Sequence, residues 1–286
     1  MEYVTLNNGV TMPKLGFGVF QIAKEDCEQC VLNAISVGYR HIDTAQSYFN
    51  EEEVGNAINR CGVSREELFI TTKVWIDNYG YEKTKQSVLT SMKKLKVEYL
   101  DLVLLHQPFS DYYGAYHALE DLYEEGKLRA IGVSNFSADR LADIAAFNRI
   151  TPQVNQVETN PLHQQILAQD HMIKRHVQME AWAPFGEGKH NMFQHPVLKQ
   201  IADQHHKSIA QIILRWLMQR DIVALAKSTH IERMKENIDM FDFVLSKEDM
   251  AKITALDEKA SLFFDHQTPE TVDMFVSMIE RRKDKM

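Results

Sequence analysis

An aspartate, a lysine and a histidine each stand where an apolar run ends: Asp43 after YRHI, Lys73 after LFITT and His106 after LDLVLL. An acid, an amine and an imidazole brought to one cavity can hold and move protons. Tyr48 lies five residues past Asp43, in the loop DTAQSY. A phenol beside an ammonium has its pKa drawn down from about 10, because the cation favours the phenolate, so Tyr48 is expected to donate a proton near neutral pH. His106 would orient a carbonyl oxygen or relay a proton. A buried structural Asp43–Lys73 ion pair is the plainer alternative, since either charge alone in a core is very costly.

The spacing says what must position these groups. The intervals of 30 and 33 residues equal one strand, one helix and two short loops. Three consecutive buried strands thus end in ionisable groups, and in a (β/α)₈ barrel all strand C-termini open on one face. The rest of the chain keeps this rhythm. Strands are expected at LGFGVF, YRHID, LFITTK, LDLVLLH, LRAIGVS, PQVNQVE, VQMEAWA and DIVALAK. Helices are expected over 24–37, 51–60, 80–95, 114–125, Ser137 to about 147, 164–175, near 194–205 and over 208–219. LDLVLL is apolar throughout, as in a strand buried on both faces. VTLNNGVTM reads as a hairpin turning at Asn8-Gly9, placed to plug the barrel bottom. Extra helices are expected late in the chain, over 246–258 and from Thr268-Pro269 onward. The stretch from Trp182 to Lys227 exceeds one repeat and should hold a loop or helix over the open face. No composition shift or linker divides the chain, so 1–286 reads as one α/β barrel domain.

Composition narrows the function. A net charge of −8 disfavours nucleic acid and anionic membranes as partners. No apolar run is long enough for a membrane span, and no basic segment leads into an apolar one near Met1, so a cytoplasmic protein is expected. Three cysteines suit a reducing compartment, and Cys27-x-x-Cys30 lies on the apolar face of a helix, which favours packing over redox or metal binding. His117, His163, His195, His205 and His206 have no metal-site spacing, and no metal is expected. Gly16-Phe17-Gly18 lacks the third glycine of a dinucleotide fingerprint, and Gly186-Glu187-Gly188-Lys189 lacks the ends of a phosphate loop.

Other strand ends supply hydrogen bonders: Ser134, Asn135, Gln156 and Glu158, with Trp182 offering a flat ring. After the eighth strand come Lys227, Ser228 and Thr229, then Arg233 and Asn237 near a helix start. Lysine, hydroxyls, arginine and a helix N-terminus together suit a phosphate, the alternative being a solvated basic helix end.

With GFGVF, GYRHIDTAQSY, ITTKVW, LLHQPF, AIGVSNF, NQVE, AWAPFG and KST-x₃-R-x₃-N in order, the chain resembles an aldo-keto reductase over nearly its whole length. It is most similar to bacterial members of the diketogluconate reductase and general aldehyde reductase type. The resemblance implies an NADP(H)-dependent reduction of aldehydes or ketones, small or sugar-derived, with a catalytic tetrad of Asp43, Tyr48, Lys73 and His106. It also implies that Ser134, Asn135 and Gln156 hold the nicotinamide carboxamide and that Trp182 stacks on the ring. The loop 184–191, with Pro184, Phe185 and Gly186, would cover the pyrophosphate. Lys227, Ser228 and Arg233 would grip the 2′-phosphate, Thr229 would also belong to the cofactor site, and Glu236 and Asn237 would contact adenine. Phe20, Trp75, His106 and Gln107 would line the substrate pocket. Val19 and Phe185 stand where many members carry threonine and leucine. The rival readings are a Schiff-base lyase using Lys73 and a non-catalytic nicotinamide-binding redox sensor. A monomer is expected, since no exposed apolar stripe is evident in the sequence.

Overall fold

The computed structural model describes residues 1–283, so the charged RRKDK tail runs past the described residues. Two short antiparallel strands, β1 (Tyr3–Thr5) and β2 (Thr11–Pro13), form the expected hairpin. Gly9 sits at φ +85° in its turn, which a glycine adopts without a side-chain clash. Eight parallel strands then close into a barrel: β3 (Leu15–Gly18), β4 (His41–Asp43), β5 (Phe69–Val74), β6 (Leu102–Leu105), β7 (Ile131–Ser134), β8 (Val154–Glu158), β9 (Gln178–Trp182) and β10 (Val223–Ala226), with β10 pairing to β3. This is the anticipated (β/α)₈ architecture.

Helices α1 (Lys24–Ser36), α2 (Glu51–Arg60), α3 (Tyr81–Leu95), α4 (Tyr112–Glu124), α5 (Ala138–Phe147) and α6 (Ile166–Ile173) alternate with the strands. They are followed by α7 (Pro196–His205), α8 (Ile209–Gln219), α9 (Ile231–Ile238), α10 (Lys247–Thr254) and α11 (Pro269–Lys283). Boundaries move where local chemistry outweighs hydropathy. Helix α4 begins two residues earlier than expected, because the Asp111 carboxylate accepts from the Gly114 amide and caps it. Strand β8 begins after Pro152, which has no amide proton for the ladder. Capping boxes at Ser208/Gln211 and Ser246/Asp249 start α8 and α10.

Two apolar layers position the open face. Most of the core lies between barrel and helices. A second cluster fills the barrel bottom, where Val4, Leu6 and Met12 of the hairpin pack on Phe69, Leu102, Leu104, Ala130, Val154 and Val223. The hairpin is therefore the plug, and the interior above it is free to be polar.

Candidate active site

Strand side chains alternate faces, so residues two or four beyond an inward-facing position also face inward. Counting up from the bottom cluster, Phe69 leads to Thr71 and Lys73, Leu102 to Leu104 and His106, and Ala130 to Ser134. Val154 likewise leads to Gln156 and Glu158. Each of these four strands enters the barrel on an apolar residue and leaves it on a polar one, which converts sequence periodicity into an arc of functional groups.

Asp43, Tyr48, Lys73 and His106 do converge. Lys73 is fully buried; its Nζ pairs with Asp43 Oδ1 and donates to the Thr44 carbonyl at 3.2 Å and to the Tyr48 hydroxyl oxygen at 3.3 Å. Burial alone would pull the amine down, but the Asp43 carboxylate outweighs it and lifts Lys73 above its ordinary value, so it is held as an ammonium. Burial pushes Asp43 up, while Lys73 and the Gln156 amide pull it back. Tyr48 departs from expectation. Its desolvation exceeds the attraction of Lys73, and the phenol is raised above 10 rather than lowered. Proximity to a cation lowers a phenol only where the attraction exceeds the cost of stripping water from the phenolate.

His106 Nδ1 lies 3.4 Å from Ser47 Oγ, and its ring stands edge-on to Tyr48 at 5.7 Å and to Trp75 at 5.2 Å. Phe20, about half exposed at 48%, closes on the Tyr48 ring from above at 4.9 Å. The loop holding Tyr48 is pinned from both sides. Asn50 accepts from the Thr44 hydroxyl at 2.9 Å and donates to the Val19 carbonyl at 3.1 Å. The Gln46 amide oxygen accepts from the Trp75 amide at 3.0 Å and from Asn78 at 2.8 Å.

The second group of strand ends also meets. Gln156 donates through Nε2 to Asp43 Oδ2 at 3.1 Å and to Glu180 Oε2 at 2.9 Å, which leaves its carbonyl oxygen as the acceptor. Ser134 Oγ donates to the main-chain carbonyl of Gln156 at 2.9 Å. Asn135 takes φ +65°, a conformation asparagine tolerates, and donates to the carbonyl of His106 at 3.1 Å. Its Oδ1 accepts from the Trp182 indole at 2.8 Å. The Trp182 ring is half-buried and tilted against Phe263 at 5.1 Å.

The stretch after β9 folds as irregular 3₁₀ turns over Gly186–Gln194, and it is tied to the C-terminal segment. Lys189 donates to the Leu262 carbonyl at 3.0 Å and lies 3.7 Å above the Phe263 ring. Pro184 and Gly186 are buried, and Phe185 packs on Phe193 at 5.6 Å. Glu158 anchors the same segment, accepting from Ser261 Oγ at 2.5 Å and from the Leu262 amide at 3.0 Å.

Residues 261–275 supply what the sequence reading missed. His266 meets Gln107 Oε1 at 3.0 Å, and Phe275 packs on Trp75 at 5.8 Å and Phe109 at 5.5 Å. Glu180 and His41 were also missed, although both sit at inward-facing positions two residues below Trp182 and Asp43.

After β10, Lys227, Thr229, Arg233 and Glu236 are exposed, and Ser228 Oγ accepts from the His230 amide at 3.0 Å beside the start of α9. Asn237 is buried on α9, near the Tyr39 phenol, which donates to the Met234 carbonyl at 3.4 Å. Among the described residues, no group of three or more His, Cys, Asp or Glu could hold a metal ion. Among them, no helix is long and apolar enough to cross a membrane.

The Aldo/keto reductase family profile matches residues 14–258. A glyoxal reductase of Bacillus subtilis is 47% identical, covering 90% of this chain and 93% of its own length. Methylglyoxal reductase DkgA of Escherichia coli is 38% identical, covering 89% of this chain and 93% of its own. Among solved structures, a Bombyx mori aldo-keto reductase in complex with NADP has a TM-score of 0.88 and 33% identity, covering 92% of this chain and 95% of its own.

Proposed function

Because the chain belongs to the aldo/keto reductase family and is an oxidoreductase acting on carbonyl groups, we propose that it reduces small or sugar-derived aldehydes and ketones with NADPH, Tyr48 being the proton donor. Relatives named for glyoxal and methylglyoxal point to small dicarbonyls as the first substrates to try. The observation that carries the reading is the Tyr48 hydroxyl, 3.3 Å from a fully buried ammonium at the open end of the barrel.

The residues present suit the cofactor. Lys227 and Arg233 are exposed cations with no carboxylate partner among the described residues, and they flank the N-terminus of α9. That is the charge and donor arrangement a phosphomonoester requires. The Gln156 side-chain amide oxygen, with Ser134 and Asn135, would hold the carboxamide, and Trp182 would lie against the ring. When bound, the reduced nicotinamide supplies the hydride.

Tyr48, kept protonated at neutral pH by its raised pKa, hands its proton to the carbonyl oxygen as negative charge grows there. An alkoxide is a far stronger base than a phenolate, so the transfer runs downhill. Lys73 stabilises the phenolate left behind, and Asp43 keeps Lys73 charged. His106 presents its ring to the same oxygen and orients it. A lyase acting through Lys73 fits less well, since an ammonium paired to Asp43 is a poor nucleophile.

The test is loss of reduced-nicotinamide absorbance with methylglyoxal, an aromatic aldehyde and a diketo sugar acid, NADPH and NADH in parallel. Carbonyl-dependent oxidation preferring NADPH is expected. Cofactor binding without oxidation of any carbonyl would instead favour a nicotinamide sensor, and borohydride trapping of substrate on Lys73 would favour the lyase.

A further inference from the structure

Below the tetrad, the barrel interior holds a carboxyl group for which the proposed mechanism has no use. Glu180, on β9, is fully buried. Its Oε2 accepts from Gln156 Nε2 at 2.9 Å, and the same nitrogen donates to Asp43 Oδ2 at 3.1 Å, so one amide clamps two carboxyl groups. Its Oε1 has no hydrogen-bond partner and lies 3.8 Å from His41 Nε2, which is itself 3.0 Å from Thr71 Oγ1.

The groups that face Glu180 are Asp43 and His41 from β4, Lys73 from β5, Gln156 from β8 and the Tyr48 phenol. The β10 residue paired to it, Val223, is not titratable. Two carboxyl groups share one cation in a dry interior, and Asp43 holds that cation. The second carboxyl must therefore keep its proton until the pH is raised well above the usual range.

We propose that Glu180 is a positioning residue for the proton transfer: through Gln156 it fixes Asp43 against Lys73, and its charge governs how tightly Tyr48 holds its proton. The inference rests on Tyr48 being the acid. Desolvation, then repulsion from Asp43, pushes Glu180 up to about 8. Above that pH its anion faces Lys73 and Tyr48, opposes the phenolate, and keeps the phenol protonated further into alkali. The alkaline loss of reductase activity is thus set by two coupled groups, Glu180 on β9 and Tyr48 in the turn after β4.

The test compares kcat/KM against pH for carbonyl reduction in the wild-type chain, Glu180→Gln and Glu180→Asp. Alongside it, the phenolate absorbance of each protein is titrated and that of its Tyr48→Phe counterpart subtracted. Glu180→Gln should move both the alkaline limb and the phenolate midpoint to lower pH. Glu180→Asp, which keeps the charge but draws back from Gln156, should leave the limb near its wild-type position and lower kcat. A limb and midpoint unmoved by Glu180→Gln, or moved equally by Glu180→Asp, would overturn the proposal. Should the glutamine variant fail to fold, Glu180→Leu, which needs no polar partner, makes the same comparison. The absorbance titration requires no turnover, so a failure of Tyr48 as the acid and a failure of Glu180 as its modulator read out separately.

Discussion

Lys73 is the residue on which the site depends most. Among the described residues it is the only cation of the groups that face one another inside the barrel, and it satisfies Asp43, the Thr44 carbonyl and Tyr48 together. Lys73→Met keeps most of the volume but strands Asp43 in a dry interior with only the Gln156 amide. Breaking a buried pair in this way costs about 3–5 kcal/mol. The variant should unfold at correspondingly lower denaturant, and adding Asp43→Asn should restore part of the loss. A Lys73→Met midpoint equal to wild type would mean that the pair is not buried as described. At this scale the sequence was a good guide to which residues meet and a poor one to their energetics. The intervals between Asp43, Lys73 and His106 report strand ends, whereas the direction in which Tyr48 shifts depends on how much water its neighbours, Phe20 and His106 among them, exclude, and spacing carries no record of that.

At the scale of elements, helices are held where they are by close approaches that hydropathy does not register. Helices α2 and α3 meet at Gly55, where a β-carbon would overlap the Lys94 carbonyl and the Leu95 backbone. Gly55→Ala should therefore destabilise by about 1–3 kcal/mol, although alanine is the better helix former by about 1 kcal/mol. A chemical denaturation midpoint that rises would show that the helices can part without cost. The alternation of elements was legible because buried parallel strands are apolar throughout and helices are amphipathic. Residues 261–275 were not legible as part of the site. Their contribution rests on long-range contacts, Glu158 to Ser261 and Leu262, Gln107 to His266 and Trp75 to Phe275, which no local pattern encodes.

For the whole molecule, the buried ionisable groups tie stability to pH. Glu180 rises from an ordinary 4.5 to about 8 in the folded state, so between those values the folded chain binds more protons than the unfolded one. Its contribution to stability is complete below about 4.5 and is lost as pH climbs through about 8. His41 works in the opposite sense. Burial pulls it from 6.5 down to about 3, so folding keeps it neutral and stability falls as pH drops through that window. Thermal unfolding of Glu180→Gln beside wild type should therefore show a stability difference that moves in favour of the variant as pH rises from 4.5 toward 8. A difference independent of pH would place the Glu180 proton elsewhere. Neither group was picked out from the sequence, because a polar residue at an inward-facing strand position becomes informative only once the barrel closes around it.

The central claim is that Tyr48 delivers the proton, and a single turnover tests it most directly. Tyr48→Phe and the wild-type chain, each saturated with NADPH and checked for equal cofactor affinity, are mixed with methylglyoxal, and oxidation of the bound cofactor is followed in the first turnover. The rate should fall by about 10²–10⁴-fold, the usual contribution of a positioned acid, with binding unchanged. An undiminished rate in the phenylalanine variant would contradict the account.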